Sequence, residues 1–173
     1  MKRRRVLLRR IRLLLTLFMF CLILSGLTAI PLRPEIDWLA RAMLISDASV
    51  PEQYTGMRYW IAEVREGLHA MEADYPFLAY GTDWLAFAHV MIAVAFIGPW
   101  LDPVRNRWVI TFGMIACVSV IPTALFFGTL RGIPFAWQLI DCSFGVFGIM
   151  PLLLMWWHTR QLIACEAAGG AAA

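Results

Sequence analysis

Two ionisable side chains fall inside stretches that otherwise read as lipid-spanning helices. His89 lies in Trp84-Leu85-Ala86-Phe87-Ala88-His89-Val90-Met91, and Asp141 lies in Phe135-Ala136-Trp137-Gln138-Leu139-Ile140-Asp141-Cys142. A charge or an unpaired polar group is costly in hydrocarbon, so such residues are functional candidates by default and need a partner. An imidazole changes charge near neutral pH and also ligates metals. A carboxylate facing a bundle interior holds a proton or a cation. At about 1.5 Å per residue, His89 sits about 8 Å from the span end at Trp84, and Asp141 about 9 Å from the span end at Phe135. The depths match, so the two side chains are expected in one polar layer in the outer leaflet.

Other polar residues fall at or near that layer. Asp83, Arg131 and Gln138 lie just above it, and Ser119 and Thr123 share a helix face at i and i+4. Pro122, between them, frees the carbonyl of Val118. Asp141, Gly145 and Gly148, spaced i, i+4, i+7, give a narrow face for close helix approach, and Ala86, His89 and Ala93 give another. Three readings stay open for the layer: a structural bond that fixes helix register, a protonatable or ion-binding site, and a metal or haem site.

The metal reading has thin material. Glu66-Gly67-Leu68-His69 matches the E-x-x-H of di-iron carboxylate helices, which use two such copies; this chain has one. Glu66, His69 and His89 are therefore weak metal candidates. His158 lies at the opposite end of its span from His89, which disfavours a bis-His haem. No cofactor is expected, with haem or a transition metal left as an alternative. Cys21, Cys117, Cys142 and Cys165 have neither zinc nor disulfide spacing. No P-loop, nucleophile elbow or H-E-x-x-H is present.

The elements that must position these residues are membrane helices. The 173 residues are 61% hydrophobic and only 16% charged, against about 25% charged in soluble domains. Four spans are expected: 13–30, then three within 84–158 that cover 84–100, 108–127 and 135–157. Trp84, Trp100, Trp108, Trp156 and Trp157 mark their ends, as interfacial aromatics do. Seven of the fifteen basic residues precede residue 13, and Arg105, Arg107 and Arg160 flank later spans on the same side. The 31–83 segment holds four basic residues against nine acidic ones. Both termini, 1–12 and the tail 159–173, are thus expected in the cytoplasm and 31–83 outside. The basic cluster abuts a span, so it points to orientation and anionic lipid rather than nucleic acid. Cleavage of span one as a signal peptide is an alternative, although Leu27-Thr28-Ala29 puts a bulky residue at the −3 position. The end of the tail, Gly169-Gly170-Ala171-Ala172-Ala173, reads as disordered.

The 31–83 segment reads as helical. Ile36, Leu39, Ala40 and Met43 share one face of a short helix. Ser49-Val50-Pro51-Glu52 has capping-box form and predicts a second helix over 50–72. Its stripe is Val50, Tyr54, Met57, Ile61, Val64, Leu68 and Met71. That stripe needs a cover: the first outer helix, the bundle top, the lipid interface, a second copy of the chain or a membrane-protein partner.

The stretches Tyr75-Pro76-Phe77-Leu78-Ala79-Tyr80-Gly81-Thr82-Asp83-Trp84, Arg131-Gly132-Ile133-Pro134 and Leu139-Ile140-Asp141-Cys142-Ser143-Phe144-Gly145 resemble those of small uncharacterised bacterial four-span membrane proteins. The resemblance implies class and membrane location, and brings no activity, cofactor or catalytic residue. The expectation is an all-α, four-span bundle with an extracytoplasmic helical subdomain, in a bacterial inner membrane. Its expected role is that of an accessory, sensory or binding protein. The competing classes are a redox or metal/haem-binding enzyme subunit and a proton-linked carrier acting as an oligomer.

Overall fold

The computed structural model describes residues 2–46 and 50–170, with side chains to residue 168. Those residues form α1 (Lys2–Leu27), α2 (Leu32–Ala42), α3 (Gly56–Asp74), α4 (Tyr80–Ala95), α5 (Ile97–Leu101), α6 (Arg107–Leu130) and α7 (Phe135–Gly170). Tight 3₁₀ turns occupy Pro51–Gln53 and Pro76–Ala79, and no strand occurs among the described residues. Pro76–Leu101, Arg107–Leu130 and Phe135–Ala168 are each long and apolar enough to cross a bilayer. A fourth candidate, α1 with α2, qualifies only as a pair joined across a 90° bend. The protein is therefore all-helical with three to four candidate spans.

The first helix differs from the expected 13–30. It starts at Lys2, because Lys and Arg are good helix formers and Leu7, Ile11 and Leu15 give the basic segment a buried stripe at every fourth residue. It ends at Leu27, ahead of Pro31 and Pro34, whose rings and missing N–H groups oppose its continuation.

The chain divides into two compact units, Met1–Cys21 with Ile92–Ala173, and Leu22–Met91; α1 and α4 each run through both. In the first unit, α6 and α7 form a close hairpin. Small residues let the backbones meet: a Cβ on Gly145 would strike the carbonyl oxygen of Cys117, and one on Gly148 would lie 3.0 Å from its Sγ. The narrow face of α7 does the job its spacing predicts, and half-buried Asp141 begins it. Asp102 makes the α5–α6 turn compact, its Oδ1 accepting the backbone N–H groups of Val104 and Arg105 at 3.1 and 3.0 Å.

At 36 residues α7 is about 54 Å long, well beyond a core of about 30 Å. The tail expected from residue 159 continues the helix to Gly170, so Gly169 and Gly170 are helical, and 171–173 lie outside the described residues. Packing explains the extension. Leu162 is buried, and Glu166 Oε1 accepts from Arg4 Nε at 2.9 Å. Arg12 donates to the Trp100 carbonyl at 3.2 Å, with its guanidinium 5.0 Å from the centre of that ring. The basic turns of α1, the α5–α6 turn and the end of α7 thus share one end of the unit.

The second unit is built on α2 against α3. Ile36 and Ala40 of α2 and Ile61 and Ala62 of α3 are buried, so the first outer helix is the cover that the stripe required. Leu44, at φ 56°, closes α2, with Ile45 N–H donating to Ala40 O and Leu44 N–H to Arg41 O. The helix expected over 50–72 starts six residues late. Tyr54 and Thr55 are extended and Gly56 sits at φ 60°, a left-handed conformation that interrupts any helix entering from residue 50. Val50 is accordingly exposed, while Met57, Val64, Leu68 and Met71 are half-buried. Ser49 of the expected capping box lies outside the described residues.

Candidate functional site

Where α2 meets α3, the apolar seam gives way to charge. Asp37 follows buried Ile36, and Arg65 and His69 follow buried Ile61 at successive four-residue steps, which places them on one face of α3. Asp37 Oδ1 accepts from Arg65 Nε at 2.7 Å and lies 2.9 Å from His69 Nε2. A carboxylate oxygen in that contact only accepts, so Nε2 carries the proton. The guanidinium and carboxylate are 16% and 20% exposed, against 36% for the imidazole, so the ion pair is sheltered and the histidine meets solvent. The Arg65 hydrogen bond holds the Asp37 carboxyl below its ordinary range; burial opposes this, and the bond and charge of His69 assist it.

Two hollows adjoin this clasp. A groove of about 660 Å³ is lined by Asp37 with Arg33, Arg41 and Glu72 and by apolar Leu68 and Met71. Arg33 and Glu72 pair at 2.6 Å. A second hollow, of about 320 Å³, is lined by Arg65, Glu66 and His69 with Ile45 and Ala62. The weak metal candidates Glu66 and His69 therefore share a cavity. Among the described residues, no group of three or more His, Cys, Asp and Glu gathers as a metal site. Chemically, one carboxylate oxygen binds two cationic-type donors from another helix.

The residues singled out by sequence fall in both units. His89 belongs to the second unit and Asp141 to the first. His89 is half-buried; its Nδ1 lies 2.9 Å from the Leu85 carbonyl one turn back, and a Cβ on Gly26 would lie 2.6 Å from its Cβ. Buried Ala86 belongs to the same packed face. Asp83 is exposed in the first turn of α4, where its charge suits the helix dipole. Arg131 is the exposed C-cap residue of α6. Gln138 is buried and donates from Nε2 to Ile133 O at 2.7 Å, closing the α6–α7 turn, and its Oε1 has no partner among the described residues. The Thr123 hydroxyl donates to the Ser119 carbonyl at 2.7 Å.

Asp37 and Arg65 were not singled out by sequence. The signal that finds them is a charged residue beside the apolar face of each helix, Asp37 next to Ile36 and Arg65 midway between Ile61 and His69. Comparison of the chain with protein-family models, curated proteins and solved structures gave no match.

Proposed function

We propose that this chain is a non-catalytic integral membrane protein of the accessory, sensory or binding kind. It crosses a bacterial inner membrane four times, keeps both termini in the cytoplasm and holds the α2–α3 unit outside. The clasp of Asp37, Arg65 and His69 is the part that takes a small polar ligand or ion. The observation that carries this reading is a single carboxylate oxygen shared by guanidinium and imidazole at a helix seam, with a hollow lined from each helix. Connectivity supports a sensory role. Four residues join α2 to α1, and the 3₁₀ turn at Pro76–Ala79 leads α3 into α4. A ligand that separates α2 from α3 thereby pulls on two spans.

A second reading places the proton at Asp141, in a proton-linked carrier acting as an oligomer. What favours it is a half-buried carboxyl on the face of α7 that packs against α6. One experiment separates the two. The full-length protein, purified in native lipid, is compared with Asp37→Asn and Asp141→Asn by native mass spectrometry, metal analysis and an ultraviolet–visible spectrum. The clasp reading predicts a co-purifying polar molecule or ion that Asp37→Asn loses and Asp141→Asn keeps. Loss only in Asp141→Asn selects the second reading, and equal content in all three proteins contradicts a binding role.

A further inference from the structure

At the basic end of the first unit, α6 and α7 enclose a cleft of about 270 Å³. Arg107 and Arg160 line it with Trp108, Trp156, Thr111 and Thr159, and no acidic residue does. Arg160 stacks over Trp156 at 4.8 Å. Neither arginine makes an ion pair with a carboxylate among the described residues, whereas Arg4 of the same unit pairs with Glu166. Two guanidinium charges in one cleft without a counter-ion call for an anion, and their planar forks suit the oxygens of a phosphate.

Depth identifies the source of that phosphate. Trp156 lies about 32 Å along α7 from Phe135, and Trp108 about 33 Å along α6 from Leu130. Both rings are exposed, at 37% and 67%, and sit one hydrocarbon thickness from the far helix ends, at the interfacial level that tryptophan favours. The arginines, one at the first residue of α6 and one a turn beyond Trp156 on α7, fall at the phosphate layer. Exposed Phe112, Ile115 and Leu153 lead from the cleft towards the core as a surface for acyl chains. Basic pockets between spans bind anionic headgroups in this way.

We propose that this cleft is a binding site for the phosphate of one anionic phospholipid, held by Arg107 and Arg160 and framed by Trp108 and Trp156. The site depends on the membrane placement of α6 and α7 and is independent of the clasp, so either can fail alone. The test uses full-length protein in nanodiscs containing phosphatidylglycerol and phosphatidylcholine, with retained lipid counted by native mass spectrometry. Wild type should retain one phosphatidylglycerol in preference to phosphatidylcholine. Arg107→Ala with Arg160→Ala should lower that retention at least ten-fold, while Arg3→Ala with Arg5→Ala, which removes equal charge from the same end, should leave it unchanged. Both cleft arginines are exposed; should the double variant not fold, Arg160→Lys keeps the charge, loses the fork and should still weaken retention. Equal loss in both double variants means diffuse charge and overturns the site. Displacement of the lipid by millimolar inorganic phosphate makes it a free-phosphate site and overturns the lipid assignment.

Discussion

Replacing Gly145 by alanine should destabilise the protein by about 3 kcal/mol, the upper part of the range for overpacking, while the same change at Gly67 should stabilise it by about 1 kcal/mol. The opposite signs follow from what each new methyl group meets. At Gly145 it strikes a backbone carbonyl, that of Cys117, which is held in the α6 helix and has no rotamer through which to yield. The helices must separate, and the contacts at Gly148 and buried Leu152 loosen with them. At Gly67, within α3, nothing lies within 4 Å, so only the backbone entropy of glycine in a helix remains and alanine removes it. Denaturant titration of the purified protein in mixed micelles measures both. Equal tolerance of the two alanines would mean that α6 and α7 do not approach closely.

Asp37→Asn should loosen the α2–α3 unit at neutral pH by about 1–2 kcal/mol, since the charge that Arg65 and His69 share is lost and part of the interaction is screened by solvent. Its pH dependence has a definite sign. The folded carboxyl titrates below its ordinary value, chiefly through the Arg65 hydrogen bond. Its contribution is therefore complete above that value and is lost as pH falls through the lower folded value. The gap between wild type and Asp37→Asn should close in strong acid, as pH falls through and below the ordinary carboxylate range. Hydrogen exchange at residues 32–42 and 56–74, corrected for intrinsic rates, follows it. A gap that persists undiminished in acid well below the ordinary carboxylate range would contradict an ionised Asp37 as the centre of the clasp.

The long apolar helices were legible because their signals are collective. Some twenty apolar residues with tryptophans at the ends mark each of them. The glycine face of α7 was legible too, since spacing alone aligns Gly145 and Gly148. The start of α3 was not: Gly56 counts as a mild helix weakener by propensity, and only its left-handed conformation shows that it interrupts the register. The reach of α1 back to Lys2 was hidden because charge marked a membrane boundary while Leu7, Ile11 and Leu15 were supplying a packed stripe. The clasp was hidden for another reason. Asp37 and Arg65 lie 28 residues apart, and no periodicity on either helix reports a bond between them. His89 and Asp141 stood out because hydrocarbon makes any polar residue conspicuous, and conspicuousness carries no information about a partner.

The proposed function depends on the α2–α3 unit and the basic end lying on opposite sides of a membrane. The most direct measurement is single-cysteine labelling in intact cells, in a background where Cys21, Cys117, Cys142 and Cys165 are replaced by serine or alanine. Glu63→Cys, exposed on α3, should react with a membrane-impermeant maleimide from outside, and Arg105→Cys, exposed in the α5–α6 turn, should react only after lysis. Labelling of both from the same side, or of Arg105→Cys alone in intact cells, would contradict the account.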